Sequence, residues 1–203
     1  MLIDYNSYFN DKAVSKIFKW EGVEWQGVVL KSDYWDYSIA ARPANGLILE
    51  FGVEHGRTLN YIAQRIGDSK IYGFDSFQGL PEDWVLGNVK GSFKCDTPLV
   101  RDNVELVIGT FEETLPGFME AHPEPISFMH IDCDLYSSTK TVFKYLGGRV
   151  VPGTIIMFDE YIGFSSWREH EYKAFQEFIA ESGLTYEYLS RLDGGLQVSV
   201  RIA

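Results

Sequence analysis

Cysteine is nearly missing from this sequence, with Cys95 and Cys133 the only two. Two thiols cannot build the disulfide framework of a small secreted domain, so the expected setting is reduced and cytoplasmic. Long apolar runs are missing too, and none approaches the roughly 20 residues that cross a bilayer. The amino end, MLIDYNSYFNDK, has neither the basic start nor the apolar middle of a signal peptide. Positive charge is scarce: 18 Lys and Arg stand against 29 Asp and Glu, a net charge of -11. No basic cluster opposes that balance, which argues against nucleic acid and for a small, neutral or cationic partner. Repeats, low-complexity tracts and flexible linkers are absent. What remains is rich in core-forming residues, 45% hydrophobic and 15% aromatic over 203 positions. That suffices for one generous domain and is short for two.

The pattern along the chain is strand alternating with helix. The first 45 residues are mixed, with KAVSKIFKW a candidate helix, and they read as a helical, substrate-covering segment ahead of a domain over 46–203. GLILEFGVE (46–54) is a continuously apolar strand, followed by the helix GRTLNYIAQRIG (56–67) with Gly67 as its stop. KIYGFDSF (70–77), VELVIGT (104–110), ISFMHIDCD (126–134) and GTIIMFDEY (153–161) read as further strands. Helices are expected through STKTVFKYL and WREHEYKAFQEFIAESG (167–183), and LTYEYLS and LQVSVRI form a closing hairpin around RLDGG. This order predicts a doubly wound, Rossmann-like α/β fold, its seven-stranded sheet mostly parallel with a C-terminal antiparallel hairpin. The segment from Gln78 to Asn103 is too long for a plain connector and is read as a lid.

In such sheets ligands bind where the strands end, and Asp75, Asp132, Asp134, Asp159 and Glu160 all fall at expected strand ends. In LEFGVEHGRT, Gly52 and Gly56 open a tight turn, and the helix start after it offers free N–H groups. The turn lacks the G-x-G-x-x-G dinucleotide fingerprint, since Glu54 stands where its second glycine would be. Glu50 would face a pyrophosphate badly and an ammonium well, and Asp75 can accept two ribose hydroxyls. A ligand with an adenosine and an amino acid end fits, which is S-adenosylmethionine. Arg57, Thr58, Ser76, Thr110, Phe111 and Asp132 complete the expected cofactor-lining set. Asp132, Asp159 and Glu160 lie on strands that a single helix makes neighbours. Carboxylates gathered without cations repel, so a hard divalent ion, Mg²⁺ by default, is expected on these three. Asp134, ahead of LYSST, reads as the cap of the next helix. Cys133 and His130 read as core residues and His55 as a bystander. Asp132, and after it His170, are the candidates to take a proton.

LEFGVEHGRT, YGFDSFQGLP, IGTFEETLP, HIDCDLYSST and GTIIMFDEY, in this order over residues 46–180, resemble the macrocin O-methyltransferase family. The resemblance implies a class I methyltransferase fold, S-adenosylmethionine, a divalent metal on Asp132, Asp159 and Glu160, and a sugar hydroxyl as methyl acceptor. Glu160 departs from the aspartate usual in the family, which keeps the charge and lengthens the arm. The expected function is metal-dependent O-methylation of a small molecule with adjacent hydroxyls. A non-catalytic nucleotide-binding module and a nicotinamide-dependent oxidoreductase are the rivals, and the oligomeric state is left open.

Overall fold

The computed structural model describes residues 5–19, 23–25, 28–30 and 32–203. The chain enters through a short helix, α1 (Tyr5–Phe9), and then a strand, β1 (Val14–Lys19). The expectation of a helix over KAVSKIFKW is therefore overturned. β1 lies on a sheet edge and buries Phe18 alone, leaving Lys16 and Lys19 outside. Lysines spaced along it resemble a solvated helix face in sequence, and on an exposed edge they discourage further strand pairing.

A two-stranded ribbon follows, β2 (Val23–Trp25) with β3 (Val28–Leu30), then α2 (Ser32–Ala40). Strand and helix then alternate: β4 (Leu47–Phe51), α3 (Arg57–Arg65), β5 (Ile71–Asp75), β6 (Val104–Ile108), α4 (Phe111–Ala121) and β7 (Ile126–Ile131). The chain closes with α5 (Tyr136–Leu146), β8 (Ile155–Phe158), α6 (Glu171–Ser182), β9 (Tyr186–Asp193) and β10 (Val198–Ile202). The strand order is β1-β9-β10-β8-β7-β4-β5-β6, with β10 the single reversed strand. The seven expected strands are present in a mostly parallel sheet with its closing hairpin, and β1 adds an eighth beside β9. β1 and α2 share the sheet and core of the remaining chain.

Every residue of β4, β7 and β8 is buried, which is why these segments read as unbroken apolar runs. Leu49, Phe51, Met129 and Ile131 face the layer of α4, α5 and α6, packing with Leu115, Phe118, Phe143 and Phe175. Ile48, Phe128, Ile155 and Met157 face α2 and α3, packing with Trp35, Ile39, Leu59 and Ile62. α4 went unread because Pro116 lies inside it. Its start is marked all the same by a capping box, in which Thr110 and Glu113 bind each other's backbone. α6 stops at Gly183, in the left-handed conformation expected of such a cap.

Backbone bonds carry the register to the carboxyl ends of the central strands. Gly52 N–H donates to the Phe74 carbonyl at 3.0 Å, Asp132 to Phe51 at 2.9 Å and Asp159 to Ile131 at 3.0 Å. The acids at these ends therefore stand in one row. Far from that rim, Phe143 of α5 and Phe178 of α6 stack at 4.6 Å and 7°. Phe178→Ala should cost about 3–5 kcal/mol in urea unfolding and leave ligand binding by the folded protein unchanged.

Candidate active site

Above the strand ends lies a cleft of about 320 Å³, within the usual range for a small-molecule site. Gly52, Asp75, Ser76, Thr110, Phe111, Asp132 and Glu160, expected from the sequence, line it together. Leu80, Pro81, Trp84 and Phe93 from the 78–103 segment form another wall, and Glu54, Glu112, Cys133 and Asp134 complete the acidic rim. Among the described residues, six carboxylates line the cleft and no Lys, Arg or His does.

The glycine turn is held by Asp75. Its Oδ2 accepts the N–H groups of Val53 at 2.8 Å and Glu54 at 2.9 Å, and its Oδ1 accepts that of Phe77 at 2.8 Å. A carboxylate has roughly four acceptor positions, so three are spent on the backbone before any ribose arrives. Gly52 has φ +88°, and a Cβ there would overlap the Asp132 carbonyl. A larger residue at 52 would thus deform the junction of β4 and β7 before meeting any ligand. Gly56, with φ +70°, sits under the Pro98 ring, and it lies off the cleft with Arg57 and Thr58. Glu50 is fully buried and does not line the cleft; its Oε1 is 2.8 Å from Nδ1 of His130, and ligand atoms of Glu50, His130 and Asp132 lie within 4.8 Å of one another. The expectation that Glu50 meets an ammonium group is corrected by that pairing.

The acids converge. One oxygen each from Asp132, Asp134 and Glu160 lies within 4.8 Å of the others, and Glu160 Oε2 is buried without a hydrogen-bond partner. Asp159, the expected third member, lies outside that cluster and does not line the cleft; its charge acts on Asp132 and Glu160, and its Oδ1 accepts from Gln197 Nε2 at 3.1 Å. Burial, then the Asp159 charge, pushes the carboxyls of Asp132 and Glu160 well above the usual range. Asp134 is pushed up to about 7 by burial and by the charges of Asp159 and Glu54. This is what like charges in a dry cleft do when no cation is counted. An oxygen-only set with an orphaned buried acceptor fits a hard divalent ion.

Asp134 is not a helix cap. α5 begins after Leu135 with no side-chain cap, and Asp134 has φ +61° at the centre of a tight turn, Leu135 N–H to Cys133 carbonyl at 2.6 Å. Strain of that kind in a non-glycine residue costs about 1–3 kcal/mol. Glu54 and Phe93 also have positive φ, so unfavourable backbone is concentrated around the cleft. Glu171, unread in the sequence, is fully buried and accepts the Glu160 N–H at 3.2 Å; burial, then the Asp134 and Asp159 charges, raise its carboxyl well above the usual range against the pull of the Glu160 and Asp134 N–H groups. It shares a helix face with Ala174, Phe175 and Phe178, all buried. A lone acid on an apolar stripe was the available signal. His170 does not line the cleft; its Nε2 lies 3.1 Å from Ser166 Oγ, and its ring packs near Trp84 and Phe164. His130 is fully buried as expected, and His55 is exposed outside the cleft.

Residues 49–161, more than half of the chain, match the family model described as a methyltransferase domain. The chain belongs to this methyltransferase family. The matched span runs from β4 past the end of β8 and so carries the glycine turn, Asp75 and the acids from Asp132 to Glu160. A curated relative from Streptomyces olivaceus, 8-demethyl-8-(2,3-dimethoxy-alpha-L-rhamnosyl)-tetracenomycin-C 4'-O-methyltransferase, is 27% identical over 172 residues, 70% of this chain. The alignment spans 64% of that relative's length. Among solved structures, the calicheamicin methyltransferase CalS11 superposes with a TM-score of 0.65 at 24% identity, covering 83% of this chain and 76% of its own. The MycE methyltransferase of the mycinamycin pathway, in complex with Mg, SAH and mycinamycin VI, superposes with a TM-score of 0.56 at 14% identity, over 84% of this chain and 48% of that one. The shared architecture is that of class I methyltransferases.

Because Asp75 anchors three N–H groups of the loops around it, Asp75→Ala should lower stability without any ligand, by about 1–3 kcal/mol. Urea unfolding of the ligand-free protein checks this. An unchanged midpoint would leave Asp75 with a ligand-binding role alone.

Proposed function

We propose that this methyltransferase uses S-adenosylmethionine and a divalent cation to methylate a hydroxyl of a sugar-bearing small molecule. The observation that carries the reading is the convergence of Asp132, Asp134 and Glu160 on the cleft that the glycine turn opens. A non-catalytic module has no need of buried, mutually repelling acids, and the missing dinucleotide fingerprint disfavours a nicotinamide enzyme. The activities of the tetracenomycin and calicheamicin enzymes, and the Mg and SAH held by MycE, support the same reading.

S-adenosylmethionine supplies the methyl group when bound, and Gly52, Asp75, Ser76, Thr110 and Phe111 are the residues placed to hold it. Mg²⁺ or a similar ion supplies charge that favours an ionised hydroxyl, and Asp132, Asp159 and Glu160 are assigned to hold it. Asp134 is assigned the proton. Its carboxyl converges with those of Asp132 and Glu160, its backbone is pinned by a strained turn, and it faces the same cleft. Trp84 and Phe93 close the cleft from the 78–103 segment and exclude water. That segment is tied down by Ser137 Oγ donating to Glu82 Oε1 at 2.6 Å and by Trp84 packing near Phe164. We assign it the role of a lid.

Activity should vanish after exhaustive EDTA treatment and return with Mg²⁺, and full turnover in the metal-free enzyme would sink the cation reading. Asp134→Asn should lower kcat about 10²–10⁴-fold while Mn²⁺ binding, read by calorimetry, survives. Asp159→Asn should weaken Mn²⁺ binding itself. The reverse pattern would exchange the two roles.

The rim also bears on substrate charge. With six carboxylates and no basic side chain lining the cleft among the described residues, a nucleoside diphosphate sugar is disfavoured by long-range repulsion. A neutral or amine-bearing glycoside should be methylated with a kcat/KM at least about tenfold higher than its nucleoside diphosphate counterpart, since roughly 1.4 kcal/mol of repulsion suffices. A preference for the nucleotide sugar would overturn this assignment and leave the methyl-transfer reading standing.

A further inference from the structure

Glu50 and His130 are both fully buried, yet neither lines the cleft. They are neighbours in the register of β4 and β7, bonded Oε1 to Nδ1 at 2.8 Å. Two apolar residues would be cheaper in such a place, because a carboxylate in the core costs stability unless it is fully partnered. The imidazole is fixed in orientation, with Nδ1 against Glu50 and the Trp35 ring edge-on at 4.7 Å between centroids. Its Nε2 is buried without a hydrogen-bond partner, and it lies 3.9 Å from Oδ1 of Asp159. A bare lone pair on Nε2 would face that carboxylate unfavourably, whereas an N–H there would attract it. Closing the gap by about 1 Å gives a hydrogen bond of ordinary length. Gln197 already donates to the same oxygen from the start of β10.

We propose that His130, backed by Glu50, is a positioning residue that steers the Asp159 carboxylate toward the divalent cation. A buried carboxylate behind an imidazole behind a ligand is an arrangement that orients metal sites. Here the imidazole would act on a carboxylate ligand, Asp159, from 3.9 Å. The inference rests on the reading of Asp132, Asp159 and Glu160 as the cation holders.

The test is Mn²⁺ binding by the full chain, read by calorimetry and by electron paramagnetic resonance of free Mn²⁺, with S-adenosylhomocysteine affinity measured in parallel. His130→Asn keeps a polar group for Glu50 and removes the Nε2 side, and His130→Gln restores a donor at that reach. Glu50→Leu with His130→Phe replaces the whole pair by apolar groups and leaves no orphaned charge, which keeps the test sound should His130→Asn fail to fold. His130→Asn and the apolar pair should weaken Mn²⁺ binding about 10–100-fold, His130→Gln should recover most of it, and S-adenosylhomocysteine affinity should stay unchanged throughout. Wild-type Mn²⁺ affinity in the folded apolar pair would overturn the proposal and leave the cation reading intact. Joint loss of both affinities, with no recovery in His130→Gln, would overturn it by making the role structural. A wild-type chain that binds no Mn²⁺ would overturn the cation reading first and this proposal with it.

Discussion

Repulsion between carboxylates is the constraint on which the arrangement depends. Asp132, Asp134, Asp159 and Glu160 crowd one end of the sheet, and burial with mutual repulsion raises the carboxyls of Asp132, Asp134 and Glu160. Nothing in a core strand draws such groups together. The surrounding structure has to hold them there, and it does so mostly with backbone. The strand-end rungs from Phe51 to Asp132 and from Ile131 to Asp159 set their spacing. Glu171 grips the Glu160 N–H from the start of α6. Burial and the Asp134 and Asp159 charges raise the Glu171 carboxyl well above the usual range, and the backbone N–H groups of Glu160 and Asp134 offset part of that.

The same economy governs the glycine turn. Asp75 works through three backbone N–H groups, and the whole of β4 to β5 is knitted by it. Gly52 is required by the closeness of two backbones, since the Asp132 carbonyl occupies the place of its missing side chain. The turn and the acids are therefore packed as one unit, backbone against backbone.

Much of this was legible in the residues. Continuous apolar runs ending in acids located β4, β7 and β8 and the rim they share, because strands buried on both faces read as unbroken apolar segments. The alternation of strand and helix then fixed the topology of seven strands. β1 was hidden because its burial is slight and its lysines recur at helix-like spacing. Glu50 was misplaced for another reason. Its partner His130 lies 80 positions away, and only the register of β4 against β7 shows that the two side chains meet inside the core. Asp134 was read as a cap from its local sequence, whereas its left-handed backbone is imposed by the fold around it.

The edge pairing of β1 with β9 carries a temporal implication. Val14 lies opposite Tyr188 and Lys19 opposite Asp193, so β1 must wait for a strand made long after it. Until then Phe18 has no sheet to cover, and the hairpin of β9 and β10 has not yet joined β8. Contacts so distant in sequence form slowly, since loop closure comes before any gain from pairing. A ribosome-bound chain stopped before residue 186 would hold the glycine turn and every acid of the rim, on a sheet whose β8 edge was still open to other strands.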